Sequence, residues 1–257
     1  MKNIKYNLYA TLLDSYQDYL RSGNIYYKYW GNADIPPMTE DEFHEKKRLE
    51  LIDRINRVPF DNENADRGTA FNEIVDCIIH AKKSDKMQIS SDKTIGTITA
   101  IFNNRTFVFP IPICMEFADY YKGAVSQVYT EAILPTIYGN VKLYGYMDEL
   151  MPMCVHDIKT TTNYYAFKFK DHWQHTAYLY CLNATGNDIF DFEYNILCIN
   201  EKRKEIEYET FTEQYSYHPE MDVPYLKAHV ESLIDFIEIH KDEITDKKIF
   251  NKHELQQ

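Results

Sequence analysis

Three segments rich in β-branched and aromatic residues, 126–137, 141–149 and 153–161, follow one another with almost nothing between them. Connections that short join antiparallel neighbours, because a parallel crossover takes a dozen or more residues. The centre of the chain is therefore committed to a three-stranded meander. Gly139-Asn140 marks its first turn, and Pro152 helps make the second. The meander sits between helical patterns. Residues 6–22 carry apolar side chains at helical spacing and stop at Gly23, the tyrosine-rich stretch 25–38 ends in Pro36-Pro37 and reads as loop, and 40–57 reads as a charged helix. A polar connector, Pro59 to Arg67, leads to a helix expected to open near Gly68, capped by Asp66 or Thr69, with Phe71, Ile74, Val75, Ile78 and Ile79 facing inward. Segments 94–101 and 105–111 suggest a hairpin about Asn103-Asn104, followed by a short helix over 114–122. Beyond the meander come a helix over 171–184, strands near 189–200 and 204–212, and a last helix with Leu226, Val230, Leu233 and Ile237 in register. The order α-β-β-β-α-β, with additions, predicts an α/β (α+β) domain around a mixed sheet.

At 257 residues, 44% of them hydrophobic, the chain can bury one substantial core. Its 22 Tyr and 14 Phe suit half-buried positions at core edges, and also base stacking. A net charge of −12 excludes a general polycation that coats nucleic acid, while leaving room for a local basic groove. Five widely spaced cysteines (Cys77, Cys114, Cys154, Cys181, Cys198) include no C-x-x-C pair, which argues against a zinc knuckle or an iron–sulfur cluster and for reduced thiols in the cytoplasm. Met1 to Ala10 does not read as a signal peptide, and no apolar run approaches the ~20 residues of a membrane span.

The chemistry-bearing stretch is Gly145-Tyr146-Met147-Asp148 followed by Asp157-Ile158-Lys159. On a strand, Asp157 and Lys159 project to one face, and a hairpin brings Asp148 alongside. Two carboxylates with one ammonium suit Mg²⁺, or Mn²⁺ in its place, and the Ile158 carbonyl offers a further hard oxygen. The same spacing is equally that of a cross-strand ion pair on a surface sheet. Gln174 and Tyr178, at i and i+4, share a helical face that either looks back at this cluster or packs as ordinary helix surface. The helix opening at Gly68, which carries Asn72 and Glu73, can approach a backbone closely or receive an anion, or is simply a capped helix start. Glu131, one strand earlier, is a further candidate carboxylate or a solvent-facing strand residue. Lys168 and Lys170 read as a phosphate-tracking patch or as a solvated basic loop.

Four elements together resemble the PD-(D/E)XK nuclease superfamily, in particular its RecB-like and phage RecE-like exonucleases. G-x-x-x-H, G-x-x-D, D-x-K and Q-x-x-x-Y appear in that order as Gly68-Thr-Ala-Phe-Asn72, Gly145-Tyr-Met-Asp148, Asp157-Ile-Lys159 and Gln174-His-Thr-Ala-Tyr178. The resemblance covers roughly residues 66–182, with an echo in Leu12-Leu13-Asp14-Ser15-Tyr16. It implies a restriction-endonuclease-like αβββαβ core at about 66–212 within a single domain, an N-terminal helical addition over 1–60 and a C-terminal helix over 222–243. It implies that Asp148 and Asp157 ligate metal, that Lys159 is catalytic, that Gln174 and Tyr178 support DNA binding, and that phosphodiesters are hydrolysed in DNA recombination, repair or a mobile element. DNA is the expected partner, with self-assembly and a single-strand annealing protein as further candidates and no membrane. Asn72 stands where the family carries a metal-binding histidine, with Glu73 or Glu131 available to compensate. The competing expectation, a non-catalytic DNA-binding or assembly module on the same scaffold, draws on Asn72 and on the net charge of −12.

Overall fold

A computed structural model describes residues 4–202 and 205–250. Strand β1 (Ile4–Tyr9) leads directly into α1 (Ala10–Leu20), α2 (Ser22–Trp30), α3 (Glu40–Ile55) and α4 (Glu63–Ile79). Strands β2 (Gln88–Asp92), β3 (Thr97–Phe102) and β4 (Arg105–Pro110) form a small antiparallel sheet of their own, followed by α5 (Ile111–Tyr120). The meander is β5 (Val125–Thr136), β6 (Gly139–Met151) and β7 (Cys154–Thr161), and α6 (Gln174–Ala184), β8 (Asp191–Lys202), β9 (Glu205–Ser216) and α7 (Pro219–Ile239) complete the domain. The expected order α-β-β-β-α-β is present as α4, β5, β6, β7, α6, β8, with the small sheet and α5 inserted after α4.

The six-stranded sheet is mixed. β5 pairs antiparallel with β6 along the whole length of both, from Thr136↔Gly139 to Val125↔Leu150. The opposite edge of β6 is shared by two strands. β1 runs parallel to its first half, ending at Tyr9↔Tyr144, and β7 runs antiparallel to its last residues, beginning at Glu149↔His156. Gly145 to Asp148 therefore lie at a fork, where one neighbour has left and the other has not yet arrived. β7 then pairs parallel with β8, and β8 antiparallel with β9.

Each face of the sheet is covered by helices. One core joins Leu8, Leu12 and Leu13 to Leu143, Met147, Tyr178, Leu182, Leu233 and Ile237, so α1, α6 and α7 close that side. The other joins Phe71, Ile74 and Val75 of α4 to Phe109, Phe117, Ile158 and Leu197. Among the described residues no helix is long and apolar enough to cross a membrane, and all five cysteines are free thiols.

Several boundaries differ from those the sequence suggests. The segment expected to be helical from residue 6 begins as β1, whose Tyr6 and Leu8 are buried at strand spacing; no side chain caps α1, so nothing local announces its start. The stretch expected to be loop holds most of α2, which includes the expected stop Gly23 and is held by Tyr26 and by Trp30 packed edge-on against Phe43 at 5.2 Å. α4 opens one turn earlier than Gly68, where the Asn62 side chain accepts from the Ala65 amide. Asp66 is buried instead against Asn103 and Arg105. The first meander turn falls on Ile137-Tyr138, with Gly139-Asn140 already in β6. α6 opens at Gln174 rather than 171, and the last helix is α7 followed by short 3-10 turns at Lys241–Glu243 and Lys247–Ile249.

Candidate active site

The fork in the sheet is where the chemistry-bearing residues meet. Met147 and Leu150 both pack on the same core, so the two-residue alternation of β6 breaks over Asp148 and Glu149. Opposite Asp148 the β5–β6 register passes over Gln127, which takes a positive φ of 54°. Relieved of its regular place, Asp148 turns toward β7, and its Oδ2 accepts from the Ile158 amide at 3.0 Å. The Ile158 carbonyl leaves a strand on the same side as its amide, so it too borders the gap.

β7 supplies Asp157 and Lys159 toward α6. Lys159 Nζ stands 2.6 Å from Asp157 Oδ2 and donates to Gln174 Oε1 at 2.9 Å. Gln174 Nε2 in turn donates to Asp157 Oδ1 at 2.7 Å. The amide thus clamps both members of the pair. Gln174 is only 4% exposed and Tyr178 3%. The Tyr178 hydroxyl donates to the Tyr146 carbonyl at 2.7 Å, one of the groups left open by the fork. A Cβ on Gly145 would lie 2.5 Å from the Tyr178 ring, so glycine is what lets the ring reach that carbonyl. Neither side chain faces solvent; both hold the fork in shape.

α4 closes the other side. Gly68 crosses β7 so closely that a Cβ there would meet Thr160 Oγ1 at 3.0 Å. One turn later Asn72 Nδ2 donates to Asp148 Oδ2 at 3.0 Å, while Asn72 Oδ1 is shielded from solvent and has no hydrogen-bond partner. The same helical face continues to Asp76, which is hydrogen-bonded to the fully buried Glu149; Ser126 holds Glu149 from β5 at 2.8 Å. Sequence reasoning passed over this pair, although the i, i+4 spacing from Asn72 and the place next to Asp148 both pointed to it. It also passed over Asp14, whose carboxylate accepts from the Trp173 amide at 2.5 Å and so caps α6 from α1.

The electrostatics are those of a site short of positive charge. Burial and the nearby Asp157 push the Asp148 carboxyl up to about 7. Burial alone would lower Lys159, but Asp157 and Asp148 outweigh it and hold the ammonium above its ordinary value. Burial and Asp76 push Glu149 up to about 8.

The remaining candidates lie elsewhere. Glu131 is exposed on β5, opposite Tyr144, and is occupied by Tyr129 and by Lys142 at 3.3 Å. Glu73 turns away from Asn72 to pair with Lys86 at 2.8 Å. Lys168 donates to Thr161 Oγ1 and the Asn163 carbonyl, both at 2.6 Å, and Lys170 is exposed in the same loop. Among the described residues no three His, Cys, Asp or Glu side chains gather as a ready metal cluster.

No family model matches the chain, and no curated protein matches it. Among solved structures, one described as "Crystal structure of SSO0001" aligns over 90% of this chain and 78% of that one, at 10% identity and a TM-score of 0.34. A likeness that loose bears on neither fold nor function.

Proposed function

We propose that the chain is a divalent-metal-dependent DNA nuclease whose centre is Asp148, Asp157 and Lys159. The observation that carries this reading is their convergence at the forked edge of β6, beside the unpaired Asn72 Oδ1. A Mg²⁺ ion fits the donor set, since it prefers oxygen, keeps several waters and needs only one or two carboxylates. Asp148, Asp157 and the Ile158 carbonyl would hold it, with Asn72 Oδ1 as the neutral oxygen in place of the family's histidine. When bound, it supplies Lewis acidity and an activated water. Lys159, clamped by Gln174, carries the positive charge that a phosphorane develops against, and remains protonated because two carboxylates face it. The free thiols are in keeping with a cytoplasmic enzyme.

The test is cleavage of linear duplex and single-stranded DNA with Mg²⁺ or Mn²⁺. Lys159→Ala is expected to lower the rate at least ~10²-fold with the fold retained by circular dichroism; a purified protein inactive on both substrates contradicts the reading. One observation favours the alternative of a non-catalytic DNA-binding or assembly module: Asp157 is already paired with Lys159 and hydrogen-bonded by Gln174. Calorimetric titration with Mn²⁺ separates the two, since binding that is lost in Asp157→Ala belongs to the nuclease alone.

A further inference from the structure

The face of β6 that carries Tyr144 and Tyr146 is opposite the one that carries Val141, Leu143 and Met147 into the core. Tyr146 is 60% exposed, and Tyr129, its cross-strand partner on β5, is 43% exposed. Their ring centroids are 5.1 Å apart. Tyr144 continues the row, with the Arg57 guanidinium on its hydroxyl. The two open rings lie side by side across a strand pair and so make one continuous aromatic surface on the sheet. Their position is the second fact. Tyr146 precedes Asp148 by two residues, about 7 Å along a strand, and its backbone is pinned by the Tyr178 hydroxyl. A ring fixed to the same rigid segment as the metal-ligating carboxylate has a fixed distance from the bond to be cut.

We propose that Tyr146 and Tyr129 form a floor on which unpaired nucleobases stack, so that the strand delivered to Asp148 is single-stranded DNA. The proposal rests on the nuclease reading of Asp148, Asp157 and Lys159. Stacking suits this surface better than phosphate capture. Its cations are spoken for, Lys142 by Glu131 and Arg57 by Asp246 at 3.1 Å, whereas every base offers a π-face to an open ring. Bases inside a duplex are already stacked on each other, so only an unpaired stretch can use the floor.

The test is binding of a short fluorescent oligo(dT) by the full chain with Ca²⁺ present, followed by anisotropy, beside an abasic oligonucleotide of equal length and charge. Tyr146→Ala is expected to weaken oligo(dT) about tenfold, with Tyr146→Phe unchanged and the abasic strand unaffected. Three outcomes overturn the floor: no binding of oligo(dT), equal affinity of wild type and Tyr146→Ala, or equal losses for both oligonucleotides. A shift of the chain from dimer to monomer in Tyr146→Ala also overturns it, assigning the face to a second copy. Failure of the nuclease reading is read separately, from cleavage. An inactive protein that still loses oligo(dT) in Tyr146→Ala keeps the floor, and an active one with unchanged KM for single strands in Tyr146→Ala keeps only the nuclease.

Discussion

At the scale of single residues, the site is held by groups whose own contacts leave them little freedom. Gln174 spends both ends of its amide on the Asp157–Lys159 pair, and Tyr178 spends its hydroxyl on a backbone carbonyl. Gly145 makes this possible, and it can be tested directly. Gly145→Ala forces the Tyr178 ring aside, which is expected to cost about 1–3 kcal/mol in urea denaturation and to lower cleavage more than it lowers stability would suggest, because the Tyr146 carbonyl loses its donor. Residue identity made the trio legible: Asp148, Asp157 and Lys159 do converge. It could not say what Gln174 and Tyr178 touch. A shared helical face is visible as a spacing, but whether it points at solvent or into a carboxylate depends on the layer packed beneath it. Glu131 shows the converse, a carboxylate on a suitable strand whose register places it opposite Tyr144 rather than Asp148.

At the scale of elements, β1 is the piece that a local reading misses and that the sheet most depends on. Alternation over Tyr6 and Leu8 is only two side chains deep, too short to outweigh the longer helical pattern that follows it. Its partner is the first half of β6, far away in sequence, and pairing at that distance leaves no local mark. The meander was legible because its turns are tight; the β3–β4 hairpin was legible because Asn103 and Asn104 take the positive φ values, 48° and 60°, that a two-residue turn demands. α2 was obscured by Gly23 and by tyrosines whose burial is decided by α3. Leu8 is fully buried in the core that joins α1, α6 and α7. Leu8→Ala is expected to cost about 2–5 kcal/mol, read as a lower denaturation midpoint.

At the scale of the whole molecule, the fold depends on pH through histidines buried without charge. Burial lowers His175 to about 4, where it stacks on Tyr215 at 4.6 Å and meets the Tyr194 hydroxyl; burial lowers His229 as well. An unfolded chain takes up the His175 proton near the ordinary 6.5, and the folded one resists until about 4. The His175 contribution to stability is therefore complete above pH 6.5 and is lost as pH drops toward 4, by on the order of 3 kcal/mol. Denaturation followed across that range is expected to show a slope that His175→Gln flattens. The forked edge of β6 has a consequence of another kind, in time rather than space. Glu149 and His156 are near neighbours along the chain, whereas Leu8 must find Leu143 across most of the domain. Closing the longer loop carries the greater entropy. The meander can zip by itself and set Asp148 and Asp157 side by side, while β1, which closes a far longer loop, is expected to dock afterwards.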